Sequence, residues 1–124
     1  MSGPLPAGAE AIGIIMGLPV EEAFAKLTAM YGEDIAREVM GIGRIWARPA
    51  LTRRERSFVA IAALASVGAY ERLRIHVRGA LNHGATPEEI QEVIFTLMVY
   101  AGYGRATEAI EVVRAELGLG GAGP

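Results

Sequence analysis

The stretch YERLRIHVRGALNHGAT, residues 70–86, holds both of the chain's histidines together with three arginines, inside what otherwise reads as a buried helix. At about 100° per residue, setting Leu73 at zero puts Ala80 near −20°, Val77 near +40° and Leu81 near +80°. These four predict the buried stripe. On the same count His76 falls near −60°, His83 near −80° and Arg72 near −100°, so the three line one edge of the apolar face. Gly79 lies beside them and is expected to leave open space. Arg74 and Arg78 turn away, toward solvent or a neighbouring chain. Spacing alone also fits a plainer reading, in which His76 is a core histidine and His83 a cation near the helix C-terminus. A metal is a poorer fit, because Glu71 lies near +160° and no carboxylate shares the histidine edge. An imidazole beside arginine suits proton transfer on an anionic substrate.

Outward from this segment the periodicity stays helical, and no alternating strand pattern of useful length appears. Helices are predicted over PVEEAFAKLTAMYG (19–32) and EDIAREVMGIGRIW (33–46), the second weakened by Gly41 and Gly43. Another runs from N-cap Thr52 to about Val67, then one over 69–83 ended by Gly84. Thr86 and Pro87 start a further helix with glutamates near its positive end. GRATEAIEVVRAELG (104–118) closes the set. The expected architecture is all-α, about six helices in one domain over residues 11–117. A mobile segment over 1–10 should precede it and a Gly-rich tail over 118–124 should follow.

The 124 residues are 52% hydrophobic and 21% charged, which excludes a disordered chain. A net charge of −2 argues against a nucleic-acid partner. No apolar run approaches the ~20 residues of a membrane span, and no basic residue precedes the apolar patch near the N-terminus, so a cytoplasmic address is expected. Zero cysteines rule out disulfides, thiolate metal sites and thiol redox chemistry. Two segments, FVAIAALASV (58–67) and VIFTLMVYAGY (93–103), are apolar nearly all round. A chain this small has too little interior to wrap both, so a homo-oligomer is expected.

Several blocks agree in order and spacing with one known family. They are IWARPAL (45–51), RERS (54–57), LRIHVRGALNHG (73–84), TPEEIQEV (86–93) and VYAG (99–102). Across about residues 43–117 the chain closely resembles the carboxymuconolactone decarboxylase family, part of the alkylhydroperoxidase-like superfamily of helical proteins. The resemblance implies an alkylhydroperoxidase-like helical bundle, assembled as trimers or hexamers with pockets near subunit contacts. The peroxidase-like branch carries Cys-x-x-Cys before its histidine. Those positions here are Ala69 and Arg72, and that branch's glutamate falls on Ser57. With no thiolate to attack a peroxide, thiol peroxidase activity is excluded.

The decarboxylase branch implies a lyase of aromatic compound catabolism that uses no metal or organic cofactor. It removes carbon dioxide from a small anionic lactone or keto acid, such as 4-carboxymuconolactone. His76 is then the expected proton donor and Arg72 the carboxylate or oxyanion partner. Arg56 and Arg48 are candidates for a second substrate carboxylate, and His83, Trp46 and Tyr100 for pocket walls. Surface or intersubunit pairing competes for the two arginines, and a core place for Trp46. The chain departs from the family pattern at Thr96, where glutamine is usual, and at GYGRA (102–106), where a proline is missing and Arg105 added. Arg44 stands where glutamate is often found. These departures leave two alternatives open: an isomerase or enolising enzyme on another keto compound, and a non-catalytic ligand-binding oligomer.

Overall fold

The structure is a computed structural model, and it describes residues 3–119. The described residues are helical, with no strand among them, in eight segments. These are α1 (Ala9–Met16), α2 (Val20–Tyr31), α3 (Glu33–Gly41), α4 (Gly43–Trp46), α5 (Arg53–Ser66), α6 (Tyr70–Asn82), α7 (Pro87–Tyr100) and α8 (Tyr103–Glu116). The expected helix over 33–46 is broken at Ile42 into α3 and α4, and α1 is an additional segment. The glycine-rich tail lies, from residue 120 on, outside the described residues. Among those residues no helix is long and apolar enough to cross a membrane.

The chain divides into two compact units, Met1–Arg53 and Arg54–Pro124. In the first, α1 to α4 bury Ile12, Ile15, Leu27, Met40 and Trp46. Gly8, the left-handed N-cap of α1, lies directly against the Gly43 carbonyl, and a Cβ on either glycine would collide with the other's backbone. Only glycines allow this approach. Arg37 holds the preceding strap: its guanidinium donates to the carbonyls of Gly3 (2.8 Å) and Pro4 (3.0 Å). It also pairs with Glu33 at 3.2 Å and stacks 5.2 Å from the Phe24 ring centroid.

The second unit has one continuous core, which includes Ile61, Leu73, Val77, Ile90, Ile94, Leu97 and Val113. α6 supplies Leu73, Val77 and Ala80, as the helical count requires. Leu81 is a correction: it is 36% exposed. Gly84, at φ +95°, turns the chain back so that the Ala85 N–H reaches the Ala80 carbonyl at 2.9 Å. The buried Ala85, rather than Leu81, therefore completes the core at that end. Gly79 is also buried.

α7 starts on a capping box. Thr86 Oγ1 accepts from the Glu89 N–H (3.1 Å), and Glu89 Oε1 accepts from the Thr86 N–H (2.9 Å). The same Oε1 accepts from Arg54 Nε at 3.3 Å, which ties the start of α5 to the start of α7. At the α5–α6 turn, the Tyr70 hydroxyl donates to Glu108 Oε1 of α8 at 2.9 Å, and the Arg105 guanidinium lies directly on Gly68.

Candidate active site

The proposed chemistry depends on α6, whose two long edges differ. Arg74 and Arg78 lie on one edge and both reach Glu116 of α8, at 3.7 and 3.0 Å. Arg74 also meets Glu71 at 3.4 Å. The outward direction expected of these two arginines therefore ends on their own chain's carboxylates.

The other edge carries Arg72, His76 and His83. Arg72 is exposed, while His76 and His83 are half-buried. Burial first, and then the Arg72 guanidinium one turn earlier, hold the His76 imidazole below its ordinary value of 6.5. The unliganded ring is therefore mostly neutral at pH 7.

At the C-cap of the same helix, His83 Nδ1 lies 3.3 Å from the Ser57 hydroxyl of α5. Ser57 is 1% exposed. Other helical hydroxyls turn back onto their own helix: Ser66 donates to the Ala62 carbonyl at 2.7 Å and Thr96 to that of Glu92 at 3.0 Å. Ser57 instead spans to the imidazole. Sequence reading placed Ser57 only as a lost glutamate position and missed this pairing.

The remaining expected site residues are divided between the units. Arg56, half-buried on α5, and Tyr100, 82% exposed at the end of α7, belong to the second unit with the histidines. Arg48 is exposed and Trp46 is 9% exposed within α4, both in the first unit. A groove over α7, lined by Phe58, Glu89, Glu92 and Thr96, and a cavity lined by Tyr70, Arg74, Glu108 and Glu111 also open on the second unit. Neither of these two is lined by His76. Among the described residues no three histidine, aspartate or glutamate side chains converge as a metal-binding group.

A cysteine-free helical chain with this histidine and arginine edge falls in a definite class. The model of the carboxymuconolactone decarboxylase family matches residues 21–115, and the chain belongs to that family. It is 39% identical over 80 residues to a protein of Acinetobacter baylyi named 4-carboxymuconolactone decarboxylase, a match covering 62% of this chain and 60% of that one. It is 36% identical over 72 residues to a nitrosuccinic acid decarboxylase of Metarhizium robertsii, covering 58% and 50% respectively. The chain thus spans little more than half the length of these curated relatives.

Proposed function

We propose that this chain is a cofactor-independent decarboxylase acting on a small carboxylic acid, with a carboxylated lactone such as 4-carboxymuconolactone as the leading substrate. The observation that carries the reading is the half-buried His76 with Arg72 one turn away, in a chain of this family that has no thiol. Carbon dioxide leaves without its bonding electrons, which pass into a conjugated electron-withdrawing group and generate an oxyanion. Arg72 holds the anionic substrate and then that oxyanion, where a positioned cation contributes most. The substrate's negative charge offsets the field of Arg72 at His76, so the ring takes up a proton. The imidazolium then delivers that proton to carbon, and the ring regains one from solvent. Arg56 is assigned to a second carboxylate, and His83 and Tyr100 to the walls.

The names of the two relatives support the class over any one substrate, since one refers to a lactone acid and the other to a nitro acid. The enolising alternative draws on the missing proline and on Arg105, whose guanidinium lies against the Gly68 turn. The deciding experiment is to offer 4-carboxymuconolactone and nitrosuccinic acid and to follow carbon dioxide release, in wild type and in His76→Ala. Release that depends on His76 supports the reading. Proton exchange into substrate without release would replace it with the isomerase, and unaltered ligand binding with no turnover would replace it with the non-catalytic oligomer.

The same reading includes a homo-oligomer, a trimer or hexamer. Val59, Val67, Phe95, Val99, Tyr100 and Tyr103 are between 46% and 82% exposed on the single chain, and they lie on or beside the two segments too apolar to face water. Sedimentation as a stable species of 13.1 kDa would overturn that part.

A further inference from the structure

The first unit contains a cavity of about 430 Å³ whose lining includes Glu38, Gly41, Ile42, Arg44 and Ile45, within the range typical of small-ligand pockets. One wall is Pro6 and Ala7. That wall is fixed at both ends, by the bonds from Arg37 to the Gly3 and Pro4 carbonyls and by the contact of Gly8 with Gly43. Ile42 and Ile45, 51% and 46% exposed, supply apolar surface, and nothing lies within 4 Å of where a Gly41 side chain would begin. Two charges of opposite sign share the lining. Among the described residues neither Glu38 nor Arg44 has a hydrogen-bond or ion-pair partner, and the two do not pair with each other. The other lining cation, Arg37, is already matched by Glu33.

A preformed cavity of mixed lining, with apolar surface beside one open cation and one open anion, is complementary to a small molecule with both charges and an apolar body. We propose that this cavity binds an apolar α-amino acid, with Arg44 gripping the carboxylate, Glu38 the ammonium group, and Ile42 and Ile45 the side chain. Arginine suits the first task because its guanidinium meets a carboxylate through two parallel bonds.

The test is a titration of the full chain with leucine, read by backbone amide NMR shifts at Gly41, Ile42 and Ile45. Parallel titrations use 4-methylpentanoate and 3-methylbutylamine, which keep the body and one charge each. Leucine is expected to bind about tenfold or more tightly than either, the worth of one charge-assisted bond. Arg44→Gln should reduce leucine binding at least to the level of 3-methylbutylamine, and Glu38→Gln should reduce it to the level of 4-methylpentanoate. Both positions are exposed, so the thermal transitions of these variants should match wild type. Gly41→Leu, which fills the hollow, should abolish binding of all three compounds. Absence of leucine shifts at millimolar concentration, equal binding of 4-methylpentanoate, or leucine binding undiminished by Arg44→Gln would each overturn the proposal. His76→Ala leaves this titration unchanged, so its outcome is independent of the decarboxylase reading.

Discussion

The two edges of α6 carry similar side chains in different electrostatic settings. Arg74 and Arg78 end on Glu116, so their charge is spent inside the fold. On the opposite edge Arg72 adds its field to a half-buried imidazole, and burial and guanidinium together disfavour a second positive charge. An edge whose cations meet carboxylates fastens helices together. On the other edge, burial and the nearby guanidinium keep the free chain's imidazole from taking a proton, the setting that the proposed function uses. Mutations on the first edge should therefore register in stability, and mutations on the second in chemistry.

The largest effect should come from His76→Ala. Loss of a positioned acid is expected to lower decarboxylation about 10²–10⁴-fold, with little change in the thermal transition, and steady-state kinetics beside calorimetry separates the two. The folded state also resists protonation of His76, so as pH falls through 6.5 the unfolded chain binds protons that the folded chain refuses. Stability should fall as pH drops through 6.5 and below, and part of that fall should disappear in His76→Gln.

The comparison sharpens with Arg72→Gln set against Arg74→Gln. Removing Arg72 should move the His76 titration upward, but only part of the way to 6.5, because burial is the larger cause. Removing Arg74 should leave that titration in place, and imidazole NMR through the titration reads both. Equal shifts in the two variants would erase the distinction between the edges.

Next in size is Ser57→Ala, which removes the buried hydroxyl facing His83 Nδ1 and should cost about 1–2 kcal/mol. Ser66→Ala on the same helix should change stability very little, since that hydroxyl is exposed and bonds only its own helix. Urea unfolding of both variants checks the contrast, and similar values would mean that the link from Ser57 to His83 holds nothing.

Much of the second unit was legible because its signals are local. Thr86, Pro87 and Glu89 spell a capping box in four residues, and Leu73, Val77 and Ala80 keep helical spacing around a core. What escaped depends on chain reversal. Leu81 fits the stripe by angle, yet the turn at Gly84 brings Ala85 under Ala80 in its place. Ser57 gives no periodic signal, because its hydroxyl acquires meaning only when His83 comes abreast of it. In the first unit, α1 starts on Gly8 without a side-chain cap, so the usual Ser, Thr or Asp marker is missing. Its glycine serves a contact with Gly43, 35 residues further along the sequence (43 − 8), that no helical period encodes. The histidine edge was readable as an arrangement of residue types. Its electrostatic character was not, since burial of one ring and pairing of the opposite arginines both require the folded neighbours.

The smallest effect bears on the fastening edge itself. Glu116→Gln removes the shared partner of Arg74 and Arg78, whose side chains are 36% and 62% exposed. Solvent screening at that exposure limits the loss to about 0.5–1 kcal/mol, most of it from the shorter contact with Arg78. Raising the salt concentration should shrink the difference between wild type and variant, because ions in solution do the same screening. Decarboxylation should be unchanged. A loss of turnover out of proportion to this small destabilisation would show that α6 transmits strain from one edge to the other, and the division of labour along the helix would then have to be abandoned.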